Sequence, residues 1–254
     1  MDFKKKLYAR LERYARVDTQ SDDRSQTFPS TAKQLTLSRM LAAELKAIGA
    51  KKVKLDKHGY VTAEVPATVK GRPAIGFLAH VDTSPDVSGK GVKPQVHKAW
   101  NGGDMVISRK LGVVLNTKNC PELAGRRGED IVTASGDTLL GADDKAGLAI
   151  IMTAAEHLIA HPEMRHGALK IGFTPDEEVG HGVDHFDVKG FGADYAYTFD
   201  GDVAGAVEEE TFNADGVKIT IKGKSVHPGS AKGAMANAAR IAADIVRSWP
   251  ENLL

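Results

Sequence analysis

Cysteine is almost missing from this chain: Cys120 is the only one in 254 residues. A single thiol excludes an internal disulfide and a cysteine-rich zinc site, so any metal must be held by histidine and carboxylate. Net charge is equally scarce. The 34 basic and 33 acidic side chains leave +1, and no global field draws the chain to nucleic acid or to an anionic membrane. No run approaches the ~18–20 consecutive apolar residues of a membrane span. The opening Met1-Asp2-Phe3-Lys4-Lys5-Lys6 leads into an amphipathic pattern and not into the apolar core of a signal peptide, so a soluble, cytoplasmic protein is expected. Internal repeats and low-complexity tracts are absent too. What is present is ordinary: 42% hydrophobic and 26% charged residues suit a globular protein with a packed core, as one large domain or two.

Phe3, Leu7, Leu11 and Tyr14 recur at helical spacing and predict a first helix. Asp18 to Thr27 is polar and reads as a loop. Pro29-Ser30-Thr31 opens a second helix that runs to Gly49, with Ser30 or Thr31 as N-cap. Val53 to Leu55, the His58-Gly59 turn and Val61 to Val65 make a hairpin-like pair. Ala74 to Ala79 reads as a strand buried on both faces, and Ser84 to Gly103 as a long loop. Val106 to Leu115 and Ile131 to Ala134 are fainter strand signals. A polar turn, Gly141 to Gly147, leads into a helix over Leu148 to Ile159, followed by strands at Leu169 to Phe173 and Tyr195 to Phe199. Strands alternating with helices predict an α/β domain with a mainly parallel central sheet and flanking helices. From Val217 the texture changes to a half-wet alternation, Val217, Ile219 and Ile221, and then an alanine-rich helix, Met235 to Val246. This is the start of a second, α+β unit.

The chemistry concentrates at strand ends. His80 and Asp82 close one strand and, two residues apart, point to the same side. Three acids, Asp176-Glu177-Glu178, follow another strand, and Asp200 follows a third. Crowded carboxylates repel one another unless a cation or proton separates them. Asp143 and Asp144 stand in the turn before a helix, where an aspartate also serves as a plain N-cap. That turn is no phosphate cradle, because the P-loop spacing is missing and two acids would repel phosphate. Asp200-x-Asp202 imitates a calcium-binding EF-hand loop, but Ala204 stands where that loop needs an oxygen ligand and Thr211 where it needs a glutamate. His227 lies in a turn, Val226-His227-Pro228-Gly229, and the remaining histidines read as solvated. One histidine with several carboxylates and no cysteine is the donor set of a hydrolytic zinc site, or of a two-metal site if one carboxylate bridges. In an open parallel sheet the loops at the carboxyl ends of the strands line the ligand crevice. Spacing alone thus leads to a metal-dependent hydrolase without naming its substrate.

Longer motifs go further. Ala79 to Asp86 (AHVDTSPD), Leu140 to Gly147 (LGADDKAG), Phe173 to Gly180 (FTPDEEVG) and Val226 to Gly233 (VHPGSAKG) resemble the di-zinc M20 metallopeptidase family, and within it the tripeptide aminopeptidases. Thr27 to Thr31 and His185 to Val188 extend the likeness. The resemblance implies a phosphorylase/hydrolase-like zinc peptidase domain over residues 1–210 and the start of a lid or dimerisation domain over 211–254. It implies two zinc ions bridged by Asp143, one completed by His80 and Asp200, the other taking Glu178. Glu177 would be the general base, Asp82 would orient His80, and the Asp143–Asp144 peptide would be cis. His227 would stabilise the tetrahedral oxyanion, across a homodimer formed through the lid. Short peptides, tripeptides above all, are the implied substrates, with neither nucleic acid nor membrane as partner. The family's second zinc takes a further histidine near the end of a longer chain. No matching residue occurs here, so this chain is expected to be an N-terminal portion with a weakly held second metal and activity that is low or absent. Two alternatives share these residues: another M20 amidohydrolase, carboxypeptidase-like or deacylating, and a fragment that binds or dimerises without hydrolysis.

Overall fold

A computed structural model describes residues 2–201, 205–210 and 216–250. The chain divides into two compact units, Met1–Ala206 and Val207–Leu254, where the sequence suggested a boundary after residue 210.

The first unit is built on a five-stranded sheet of order β1-β2-β8-β3-β9. β1 (Lys51–Leu55) and β2 (Val61–Val65) form the expected antiparallel hairpin. Asp56 closes its turn by accepting from the backbone N–H groups of His58 and Tyr60. β8 (Leu169–Thr174) runs antiparallel to β2 and parallel to β3 (Ile75–His80), which in turn runs parallel to β9 (Tyr195–Thr198). The sheet is therefore mixed, with β2 alone reversed. Helices α1 (Phe3–Ala15), α2 (Gln34–Ala47) and α3 (Ala142–Ala160) supply Tyr14, Leu37, Leu41, Leu45, Leu148, Ile151 and Met152 to the core. These pack with Val61, Ala63, Ile171 and Phe173 of the sheet. On β3 and β8, Gly76 and Gly172 let Phe191 lie close against the strands: a Cβ on Gly76 would come within 2.7 Å of that ring.

Three expectations shift. α2 begins at Gln34 and not at Ser30 or Thr31, because those hydroxyls are committed elsewhere, Ser30 to Asp176 and Thr31 to the Gln20 carbonyl. The anticipated loop from Ser84 to Gly103 contains β4 (Gln95–His97), which pairs with β7 (Ile131–Thr133). The single strand read over Val106 to Leu115 is a hairpin of β5 (Met105–Ser108) and β6 (Val113–Leu115). Trp100, Met105, Ile107 and Leu123 form a small second core there, with Cys120 packed against it and its thiol donating to Glu122 Oε2 at 3.3 Å.

In the second unit α4 spans Ala238–Ser248, starting three residues and ending two residues later than the sequence suggested. Asn237 caps it by accepting from Arg240 N, and Ala236 just before it is held in an antiparallel bridge with Lys224. Val217, Ile219 and Ile221 form no strand among the described residues. They face Ala242, Ile245, Val246 and Trp249 across an apolar groove. Asp202, Ala204 and Thr211, which decided the EF-hand question, lie outside the described residues. Among those described, no helix is long and apolar enough to cross a membrane.

Candidate metal centre

β8, β3 and β9 are adjacent and parallel, so their carboxyl ends share one edge of the sheet. His80 is the last residue of β3. The turn after β8 carries Glu177 and Glu178 in a 3-10 segment, and Asp200 follows the end of β9. Asp143 comes from the turn before a helix, as the sequence suggested, and not from a strand of this sheet. It enters from the start of α3, whose preceding strand β7 belongs to another sheet. At Asp143 and Asp144 the backbone leaves helical geometry, and the peptide between them is cis as expected. Asp144 does the capping: its Oδ1 accepts from Gly147 N at 3.1 Å and its Oδ2 from His80 N at 3.2 Å. A Cβ at position 147 would sit 2.3 Å from that Oδ1 and 2.5 Å from the Phe199 carbonyl, so only glycine allows this approach. Asp143 is thereby free to turn toward His80.

The side chains converge on the His80 imidazole. Its Nε2 lies 2.8 Å from Asp143 Oδ1, 3.8 Å from Asp200 Oδ2 and 3.9 Å from Glu177 Oε2. Ligand atoms of His80, Asp143 and Glu178 fall within 4.8 Å of one another, and so do those of His80, Glu177 and Asp200. On its other side the ring offers Nδ1 to the Asp82 carbonyl at 3.1 Å and to the Asp82 carboxylate at 3.3 Å, an arrangement that fixes ring orientation. The fully buried Asp82 has a second task, because its two oxygens accept from Glu177 N at 3.0 Å and Glu178 N at 3.1 Å. One carboxylate thus aligns both the histidine and the acidic turn.

Charge is unevenly distributed here. Burial works to lower the His80 imidazole, but hydrogen bonds with Asp143 and Asp82 overcome it and push the group up to about 11. Burial raises Asp144 to about 8 and Asp200 to about 6. It also raises Glu178, with the Asp143 charge adding to the effect, while the His80 hydrogen bond holds Asp143 down. Carboxyls driven toward neutrality around one imidazole driven toward its cation mark a set short of positive charge. Oxygen donors with one nitrogen and no thiolate fit a divalent cation of the zinc class.

Some of the centre was not read from sequence. Lys145 is buried, donates to the Val17 carbonyl at 2.8 Å, and burial brings its ammonium down to about 8. Its position directly after two acids at a helix start was the available signal. His58, read as solvated, stacks on His185 with centroids 4.2 Å apart, and Phe28 meets the edge of that pair. His227 sits in the second unit, where its Nδ1 accepts from Gly229 N at the start of a 3-10 turn.

Comparison with known proteins shows what the chain is similar to. Peptidase T from Bacillus licheniformis is 54% identical over 250 residues, 98% of this chain, and peptidase T from Brevibacillus brevis matches equally well. The chain is a relative of peptidase T. It spans 61% of the length of these relatives. Residues 210–254 match the peptidase dimerisation domain. By structure the chain resembles an aminopeptidase from Bacillus cereus, with a TM-score of 0.59 and 22% identity over 97% of this chain and 57% of the other. A tripeptidase from Staphylococcus aureus gives 0.60 and 18% over 96% and 56%. At such identities these two speak for the α/β fold alone.

Proposed function

We propose that this chain carries the metal centre of an aminopeptidase that removes the N-terminal residue from short peptides, tripeptides foremost. The observation that carries this reading is the convergence of Asp143, Glu177, Glu178 and Asp200 on His80 at one sheet edge, in a relative of peptidase T. His80 and Asp200 would hold one zinc ion and Glu178 the other, with Asp143 between them. When bound, such ions polarise a scissile carbonyl and lower the pKa of the attacking water to about 7. Glu177, exposed and unclaimed by any side-chain hydrogen bond among the described residues, takes the proton from that water and returns it to the leaving amine. Asp82 holds the His80 ring and presents both glutamates. His227 donates to the developing oxyanion from the lid of a second copy, residues 211–254 belonging to the lid and 1–210 to the catalytic domain.

A free tripeptide and its N-acetylated form, offered to the zinc-loaded protein, test the reading. Release of the N-terminal residue from the free peptide alone is expected. Turnover of the blocked peptide alone would instead place the chain among the deacylating amidohydrolases. Zinc binding without turnover of either would make it a binding or dimerising module.

A further inference from the structure

Asp176 is the member of the acidic triplet that the chemistry above leaves unused. It is 1% exposed and has a left-handed backbone, φ 57°, which non-glycine residues adopt rarely. Its carboxylate is engaged by Ser30 and Gln34. Oδ2 accepts from Ser30 N at 2.6 Å, while Oδ1 accepts from Ser30 Oγ at 2.5 Å and from Gln34 Nε2 at 2.6 Å. Gln34, itself buried at the start of α2, also accepts from Asp176 N through its Oε1 at 3.2 Å. The Asp176 carbonyl accepts from His181 N at 2.9 Å. A turn that needed only a positive φ could use glycine or asparagine. Burying a carboxylate costs several kcal/mol unless every oxygen is satisfied, and asparagine would place an NH2 against donors. We infer that Asp176 is a positioning residue for the metal centre: its carboxylate, clamped by Ser30 and Gln34, sets the angle at which Glu177 and Glu178 enter the site. Asp82 grips the same turn from the His80 side, so two buried carboxylates fix it between them.

This inference rests on the reading of Glu178 as a metal ligand, and the test separates the two. Cobalt(II) is titrated into the full chain and its visible absorption followed, with circular dichroism and the thermal midpoint recorded for every variant. Asp176→Asn is expected to weaken cobalt binding about 10–100-fold, the usual effect of losing a group that orients a ligand. Ser30→Ala and Gln34→Ala should weaken it less, and Ser30→Thr, which keeps the hydroxyl, should restore it. A lowered midpoint with an unchanged titration, measured where the variant is folded, would show a purely structural role and overturn the inference. If Asp176→Asn does not fold, Ser30→Ala and Gln34→Ala decide, and wild-type cobalt binding in both overturns it. If Glu178→Ala binds cobalt as tightly as wild type, the metal-centre reading is what fails.

Discussion

Glu177 and Glu178 are consecutive residues whose backbone N–H groups share one acceptor, Asp82, yet their side chains meet different surroundings. Glu178 is half-buried beside Asp143, whereas Glu177 is exposed. Their substitutions should separate accordingly. Glu177→Gln is expected to cut tripeptide turnover at least about 100-fold, the usual worth of a general base, with zinc content by atomic absorption close to wild type. Glu178→Ala should instead lose zinc, and equal metal loss in both variants would refute the division. At this scale the sequence was informative for His80, Asp143, Glu178 and Asp200, because each stands where a strand ends or a helix begins. It assigned no task to Lys145 or Asp176. Their partners lie 128 to 146 residues away in Val17, Ser30 and Gln34, and burial of a polar side chain shows only once distant segments meet.

Helix α1 is joined to α2 and α3 by a buried polar network. Arg10 donates to Glu44 at 2.8 Å, to Thr153 at 2.8 Å and to Glu156 at 2.9 Å. Glu44 also accepts from Tyr14 at 2.7 Å and from Arg13. Removing Glu44 leaves the Arg10 guanidinium buried with one carboxylate fewer, so Glu44→Ala is expected to cost about 3 kcal/mol in urea unfolding. Burial alone would raise the Glu44 carboxyl, but hydrogen bonds from Tyr14, Arg10 and Arg13 outweigh it and hold the group below its ordinary value. A carboxyl depressed in the folded state contributes stability above its unfolded pKa, about 4.3, and loses it as pH falls through the folded value. Glu44→Gln should therefore lie furthest below wild type near neutral pH and converge with it in acid, and a constant gap across a pH series of urea midpoints would contradict this. Elements were legible in proportion to their periodicity. The α1 stripe and the β1–β2 hairpin follow their patterns. The start of α2 did not, because Ser30 and Thr31 looked like local caps and serve distant partners. β4 to β7 were blurred because short strands in a Gly-rich stretch carry few alternating positions.

Over the whole chain, every residue assigned to the metal, from His80 to Asp200, belongs to the unit Met1–Ala206, which also holds the main core. Residues 1–206 produced alone should fold and titrate with cobalt as the full chain does, since domains with their own core fold independently. His227, in the other unit, should behave in the opposite way: His227→Ala keeps the metal and loses about 10²–10³ in turnover, as removal of an oxyanion donor does. Loss of metal in that variant would argue against its role. The general arrangement of helices and strands was visible in the alternation of patterns, but the pairing of β2 with β8 and the detour through β4 to β7 depend on long-range pairing that no local signal reports. Cys120 has a practical bearing on all these measurements. Burial and the Glu122 carboxylate raise its thiol above the ordinary range, and the thiolate is the form that air and alkylating reagents attack. Cross-linked dimers should accumulate slowly near neutral pH, so metal titrations can be run without dithiothreitol or mercaptoethanol, reagents that would otherwise compete with the protein for zinc.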